Sequence, residues 1–397
     1  MKGAFMAWSL APRPRRDHRA ITFDHSMWAS HSPAPDEVAL RLAHIALVVV
    51  VVVVALVSAL LVTRSVLQWR EARNLAIATP DGVDESGFID IGGVAQWVQM
   101  RGLHRANPVI IVVHGGPGFA MSPLTRVFRP WESEFTVVQW DQRDAGRTFS
   151  RNGPQPISID RIARDGLEVA EHVQRRLPGA RVILLGHSWG SAVGLEMIQR
   201  RPDLFAAYVG AGQMSSKAEQ ETLSYERVFE RLRAAGVRDG VDELRRLGPP
   251  PYKDLAELLV QRKWLATVDT PAEQHLFQRM APLLLVAPQM SLKQTHDYLA
   301  APKVAQAGSF NEVAEFDARR IGGRFSVPIF IFQGDRDLYT PEEPTERYLS
   351  EVEAPLKDIA VLPGGGHDAL LTMPDAFLRE LRTRVRPRVL ADGISGS

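Results

Sequence analysis

Residues 181–190 read RVILLGHSWG, and residues 191–201 continue as SAVGLEMIQRR. An apolar run rich in strand formers ends in Gly-x-Ser-x-Gly, and a helical pattern follows with no linker between them. A reactive serine needs such a sharp strand-to-helix turn, because the turn holds the hydroxyl exposed and strained with backbone N–H groups facing the substrate. Gly186 and Gly190 leave room where side chains would collide. Ser188 is therefore the candidate nucleophile. Five residues carry little weight alone, so the partners have to be found elsewhere in the chain.

A serine hydroxyl attacks only when a base takes its proton and a third group orients that base. With a nucleophile on this turn, the acid and the histidine are expected in the order Ser, Asp/Glu, His. The run PIFIFQ (328–333) leads into Gly334-Asp335-Arg336-Asp337, which makes Asp337 the candidate acid and Asp335 the fallback. The run DIAVLP (358–363) leads into Gly364-Gly365-Gly366-His367, which places a candidate base on a glycine-rich loop. Taken singly, Asp337 reads equally as a turn-former or helix cap, and His367 as a satisfied loop histidine. Their joint position at two strand ends, in the required order, favours the catalytic reading. Upstream, VIIVVHGGPG (109–118) is a strand followed by a loop whose backbone can approach a ligand closely. The N–H groups of Gly116 and Trp189 are the expected oxyanion donors. No Lys-Ser/Thr follows that loop, so a phosphate-binding P-loop is excluded. His114 and His187 sit on no returning loop and are expected to be structural.

The same pattern sets the architecture. FIDIGGVAQWVQMRG (88–102) reads as two strands turning at Gly92-Gly93. PVIIVV, FTVVQW, RVILLG, AAYVGA, PIFIFQ and DIAVLP are continuous apolar runs, as expected of parallel strands buried on both faces. Amphipathic stretches such as 159–177 supply the crossovers, giving a doubly wound, mostly parallel α/β sheet. Residues 215–324 break this alternation with helical periodicity, interrupted at Gly248-Pro249-Pro250-Pro251 and around Pro282 and Pro288. They are expected to form a helical cap between two core segments, 87–214 and 325–397; a separate helical domain is the alternative.

The composition is that of a folded protein, with 45% hydrophobic and 23% charged residues. Lys and Arg total 47 against 46 Asp and Glu, a net charge of +1 that argues against a nucleic-acid partner. There is no cysteine, which excludes disulfides, Cys-zinc sites and thiol catalysis. No His-x-x-x-His or paired-carboxylate pattern lies on a helix, and the triad requires neither metal nor cofactor. Ile45–Val62, IALVVVVVVVALVSALLV, is uncharged and long enough to span a bilayer. A retained transmembrane helix over 41–64 is expected, with a disordered tail at 1–40 and a linker segment at 65–86 that opens with a short helix, SVLQWREARNLA. Cleavage at Val57-Ser58-Ala59 is disfavoured because that motif lies inside the apolar run. The flanking arginines support both orientations, so topology stays open.

The motifs His-Gly-Gly-Pro-Gly (114–118), Asp-Gln-Arg-Asp-Ala-Gly-Arg-Thr (141–148) and Gly-His-Ser-Trp-Gly (186–190) together resemble the prolyl iminopeptidases, α/β-hydrolases that release N-terminal proline from peptides. The resemblance spans about residues 88–385 and is loose across the cap. It implies Ser188, Asp337 and His367 as the triad, Gly116 and Trp189 as the oxyanion hole, and a small peptide as substrate. Two features depart from the family. Asp144 stands where a glycine is usual, and Asp tolerates unusual backbone angles better than most residues. The cap carboxylates that would hold a substrate ammonium group are not matched by motif; Glu219, Glu221 and Glu226 are candidates, and Trp264, His275 and Phe277 are candidates for an apolar wall. A carboxylesterase or other small amide or ester hydrolase is the alternative, and a noncatalytic, membrane-tethered binding module is the alternative from another class. Dehalogenase or epoxide hydrolase chemistry on this fold calls for Asp at 188, where Ser stands.

Overall fold

The apolar runs form strands β1 (Val83–Ile91), β2 (Val94–Gly102), β3 (Val109–Val113), β4 (Thr136–Asp141), β5 (Val182–His187), β6 (Ala207–Ala211), β7 (Ile329–Gly334) and β8 (Lys357–Leu362). In this computed structural model, which describes residues 35–288 and 290–391, they make one sheet in the order β1-β2-β4-β3-β5-β6-β7-β8. β1 and β2 pair antiparallel, as do β2 and β4, and every other pairing is parallel. Strands β3 to β7 are buried throughout. Because side chains alternate across a strand, Val109, Ile111 and Val113 enter the core on one face while Ile110 and Val112 enter the other. The same split separates Val182 and Leu184 from Ile183 and Leu185. A doubly wound sheet with helices on both faces follows from that pattern. β3 lies between β4 and β5, so the strand order reverses at its carboxyl end, where such sheets bind ligands.

At the other end of the chain, helix α1 runs from Pro35 to Leu75. It begins earlier than expected: Pro35 with Asp36 and Glu37 is a favourable helix start, so residues 35–40 are helical where a tail was expected. The rest of that expected tail, 1–34, lies outside the described residues. The apolar stretch makes α1 long and apolar enough to cross a membrane, with a mean hydropathy of 3.5. The chain divides into two compact units after Val62. Within the second unit, residues 63–75 are part of the packed structure rather than a linker. Gln68 donates to the carbonyls of Ala287 (2.8 Å) and Met290 (2.9 Å), Arg64 donates to Met290 (2.6 Å), and Glu71 accepts from Arg126 Nε at 2.8 Å. The expected linker is also shortened at its far end. β1 starts at Val83 rather than Phe88 because Asp84 pairs with Arg101 across the hairpin, at 2.5 Å.

Helix α2 (Ile159–Arg176) is capped by Ser158, whose side chain accepts from Arg161 N at 3.0 Å, and helix α3 (Trp189–Arg200) follows β5. Among the described residues, six helices separate β6 from β7: α4 (Lys217–Ala234), α5 (Arg238–Leu247), α6 (Leu255–Val268), α7 (Pro271–Gln274), α8 (Leu276–Val286) and α9 (Leu292–Ala314). Helix α2 carries a fully buried carboxylate. Asp165 is fully buried and accepts from Gln96 (2.8 Å), Arg143 Nε (2.5 Å) and Arg161 (2.5 Å). Arg143 also donates to Gly92 O at 2.7 Å, so this cluster ties the β1–β2 turn to α2. Removing one partner of a buried ion pair leaves the other uncompensated. Asp165→Ala is expected to lower stability by about 3–5 kcal/mol, read from guanidinium unfolding of the detergent-solubilised full chain.

Candidate active site

β5 delivers the chain to Ser188, which adopts φ 53° and ψ −121°. A side chain held at such positive φ costs about 1–3 kcal/mol and persists only where the surroundings over-determine it. Here they do. Ser188 N donates to Ala211 O (2.9 Å), while Ser188 O accepts from Ser191 N (2.8 Å) and Ser191 Oγ (2.6 Å). A Cβ at Gly190 would lie 1.9 Å from Val113 O, and one at Gly186 would lie 2.5 Å from Gly190 O. Those two glycines are the clearance that lets β5 turn into α3.

His367 Nε2 lies 2.9 Å from Ser188 Oγ, and His367 Nδ1 lies 2.9 Å from Asp337 Oδ2. Asp337 is buried and well supplied with donors. Oδ2 accepts from Thr340 Oγ1 (2.7 Å) and Gln333 Nε2 (3.0 Å), and Oδ1 accepts from the N–H groups of Tyr339 (2.8 Å) and Thr340 (2.9 Å). Burial alone would raise its pKa, but His367 and these donors hold it below the ordinary carboxylate range. Burial would likewise lower the pKa of His367, and the neighbouring Asp337 carboxylate reverses that, raising it above its ordinary 6.5. Asp335, the fallback acid, is exposed and accepts from Gly364 N at 2.7 Å. Sequence reasoning missed Gln333 and the role of Thr340, which looked only like part of a helix start.

The glycine-rich loop after β3 passes directly against the serine. A Cβ at Gly115 would lie 3.0 Å from Ser188 Cβ, and Gly116 has φ 120°. Trp189 is the first residue of α3, and the first N–H groups of a helix have no intrahelical acceptor. The arrangement can present Gly116 and Trp189 N–H groups to an oxygen bound at Ser188. Nearby, His114 is buried; its Nε2 accepts from Gln142 N (3.3 Å) while Nδ1 faces Gly115 O (3.0 Å). Burial pushes its pKa down to about 4, so it stays neutral. Asp144 has φ 55°, which accounts for the glycine usual at this position in the resembled family.

Ser188 and His367 line a cavity of about 480 Å³ whose walls come in part from the inserted helices. Leu258, Leu276, Phe277, Met280, Phe310 and Val313 give it apolar walls, and Lys217, Arg262, Asp269, Glu273 and Asp368 give it charge. Four of the expected substrate contacts are elsewhere. Glu219 is at the surface, paired with Arg319 (3.3 Å) and Arg347 (2.5 Å), and Glu226 is exposed. They lie seven residues apart on the outer face of α4, whereas Lys217, Glu221, Ser224 and Val228 lie on its buried face. Trp264 packs within the inserted helices and donates to Glu243 at 2.8 Å, away from the cavity. His275 is exposed, with its ring 2.7 Å from Pro271 O. The carboxylates that reach the cavity come from sequence without a motif. Glu273 accepts from Asp368 N (3.0 Å), and a Cβ at Gly366 would meet its side chain at 2.5 Å. Burial, then the carboxylates of Asp368 and Asp269, push Glu273 up to about 9; burial pushes Asp269 up to about 6. Among the described residues, no group of three or more His, Asp or Glu could hold a metal ion.

Two outcomes follow from these environments. A base must be neutral, so kcat/KM is expected to fall on acidification with an apparent pKa above 6.5. Asp337→Asn moves that limb to lower pH and lowers kcat by about 10⁴-fold; a pH–rate profile of both proteins checks this. Glu273 has a folded pKa raised from 4.5 to about 9, so its contribution to stability is full below 4.5 and is lost as pH rises through about 9. The melting temperature of Glu273→Gln relative to the unmodified protein is therefore expected to climb between pH 5 and pH 9, in a thermal-melt series.

The profile of the alpha/beta hydrolase family matches residues 110–380. The probable aminopeptidase YbaC of Bacillus subtilis is 26% identical over 302 residues, covering 75% of this chain and 95% of that protein. A probable proline iminopeptidase of Streptomyces coelicolor is 33% identical over 132 residues, 32% of this chain and 40% of its own length. Among solved structures, the proline iminopeptidase of Mycobacterium smegmatis superposes with a TM-score of 0.55 at 17% identity, covering 78% of this chain and all of that one. A proline iminopeptidase-related protein of Thermus thermophilus gives a TM-score of 0.52 at 23% identity, covering 77% and 99%. At those identities the structures speak for the fold alone. With its mostly parallel sheet and the family profile across most of its length, the chain belongs to the alpha/beta hydrolase family.

Proposed function

We propose that this hydrolase is a membrane-anchored serine aminopeptidase that releases proline or a similar small residue from the N-terminus of short peptides. Ser188 Oγ attacks the scissile carbonyl carbon while its proton passes to His367 Nε2, and Asp337 steadies the imidazolium that forms. The developing oxyanion takes hydrogen bonds from Gly116 N–H and Trp189 N–H. Collapse breaks the C–N bond, His367 gives its proton to the leaving amine, and an acyl-serine remains. Water, deprotonated by His367, then hydrolyses the ester and restores the serine. The helices between β6 and β7 serve as the lid that excludes bulk water, and the apolar part of α1 serves as the anchor.

The observation that carries the aminopeptidase reading is the carboxyl group cluster in the same cavity. Asp269, Glu273 and Asp368 line it beside His367, and three carboxyl groups crowded out of water suit a substrate ammonium group. An ammonium ion supplies the charge that lets Glu273 ionise. The similarity to a probable aminopeptidase over 75% of the chain points the same way.

The test compares proline p-nitroanilide, its N-acetylated form and p-nitrophenyl acetate, using full-length protein in detergent. The free-amine arylamide is expected to be the best of the three, with acetylation lowering kcat/KM by about 100-fold, the upper range for one lost charged contact. Ser188→Ala is expected to lose about 10⁶-fold. Equal turnover of the acetylated form replaces the aminopeptidase by an amidase that does not read the ammonium group, and turnover of the ester alone replaces it by an esterase. Activity retained in Ser188→Ala removes the serine mechanism altogether.

A further inference from the structure

The cavity wall also carries positive charge, which the peptide-bond chemistry above does not use. Lys217 and Arg262 both line it, and both pair with the same oxygen of one carboxylate, Glu221 Oε1. Lys217 is 8% exposed, and the side chains of Glu221 and Arg262 are 7% and 15% exposed. Arg262 gives a further N–H to Gln261 Oε1. Among the described residues, Glu221 is the one carboxylate within ion-pair distance of Lys217. Two cations against one anion give this cluster a net positive charge in the cavity wall, offset only through space by the Asp337 carboxylate. A triad kept only for stability gains nothing from that excess, because desolvating an unmatched charge is costly. The excess is located where a small ligand can meet it. Arg262 lies over the Tyr339 ring at 5.2 Å, and that ring stacks on the His367 imidazole at 4.7 Å.

We propose that Lys217 and Arg262 receive a free carboxylate carried on the leaving part of the substrate, so that the enzyme acts on dipeptides and comparably short peptides. This rests on the aminopeptidase reading and extends it to the other end of the substrate. The carboxyl groups of Asp269, Glu273 and Asp368 face the ammonium end; Lys217 and Arg262 face the carboxylate end. Ser188 lines the same cavity. A volume of about 480 Å³ is within the range of small-molecule pockets, and the apolar walls between the charged groups suit the side chains of two residues. A long peptide carries its carboxylate out of this space and leaves the excess charge unmatched. Guanidinium and ammonium groups together make a strong carboxylate receptor, since hydrogen bonds between ions are about twice as strong as neutral ones.

The experiment measures kcat/KM for two matched pairs with the full-length protein. One pair is prolyl-leucine and prolyl-leucinamide. The other is the acetyl ester of glycolate and that of glycolamide, whose leaving alcohol carries the carboxylate or its neutral amide. The acid is expected to be preferred in each pair by about 10- to 100-fold, the worth of one charged hydrogen bond. Lys217→Met is expected to bring both ratios towards one, and Lys217→Arg to restore them. The ratio does not depend on how much of a variant is folded. Ratios near one for the unmodified protein, with peptide turnover intact, overturn the carboxylate site and leave the aminopeptidase standing. Preference in the ester pair without peptide turnover sinks the aminopeptidase and keeps the carboxylate site. Turnover of neither pair overturns both.

Discussion

The turn at Ser188 is made possible by the van der Waals clearance between Gly190 and the backbone of β3. A single added carbon at Gly190 would fall 1.9 Å from Val113 O, so no other residue lets α3 start this close to the sheet. Because α3 starts there, Trp189 is its first residue and its N–H is free of the helix ladder. Because β5 lies beside β3, the same turn brings the serine against the Gly115–Gly116 loop. The reversal of strand order then opens space above both strand ends. The strained turn, the glycine loop against it and the cavity thus follow from one steric constraint, and the strain at Ser188 is held by three hydrogen bonds, to Ala211 O and from Ser191 N and Oγ, with Met214 N donating in turn to Ser191 Oγ.

Electrostatics within the cavity are decided by how many donors each carboxyl group receives. Asp337 and Glu273 are both acidic side chains removed from water beside the same histidine loop. Asp337 accepts from two backbone N–H groups, a hydroxyl, an amide and an imidazole, and its charge is retained. Glu273 accepts from one backbone N–H at 3.0 Å and a hydroxyl at 3.4 Å, with two carboxylates for neighbours. Burial wins there, and the proton stays on at neutral pH. Glu221 shows the opposite balance. Burial raises its pKa, but Arg262 and Lys217 together pull it down to about 2. A protonatable acid cluster and a cationic wall therefore line one cavity, while the anion paired with His367 lies buried behind it.

What was legible in the sequence tracks how local each signal is. Ser188, Asp337 and His367 each sit at the end of an apolar run, and a strand end is fixed by the chain on either side of it. Glu219 and Glu226 failed for the converse reason. Composition marks α4 as a charged helix, but only its helical phase against the core decides which carboxylate turns inward, and that phase favours Glu221. Glu273 carried a misleading signal: Thr270-Pro271-Ala272-Glu273 has the form of a capping box. Thr270 does accept from Glu273 N at 3.3 Å, yet the Glu273 carboxylate reaches forward to Asp368 N. Likewise the apolar run of α1 was plain from composition, whereas its continuation to Leu75 depends on carbonyls at Ala287 and Met290, more than 200 residues away.

That division also locates specificity. Ser188, the Gly115–Gly116 loop, Asp337 and His367 all belong to the strand ends of the sheet and the loops that follow them, and one such fold can host many chemistries. Of the charged residues that line the cavity, Lys217, Arg262, Asp269 and Glu273 come from the segment between β6 and β7, and Asp368 alone comes from the core. The sheet can therefore be kept while the charge pattern around it is rewritten, because α4, α6 and α7 reach the reacting atoms through side chains and not through the strand ladder. The loop between α8 and α9 is different. Arg64 and Gln68 hold its carbonyls, so any lid motion that carries this loop away from residues 63–75 has to break those bonds. The helices that carry the charge, α4 to α7, are tied instead to the core, Arg227 to Glu343, Glu219 to Arg347 and Glu273 to Asp368 N, so the charge facing His367 is held in place by ion pairs and hydrogen bonds to the core rather than by residues 63–75.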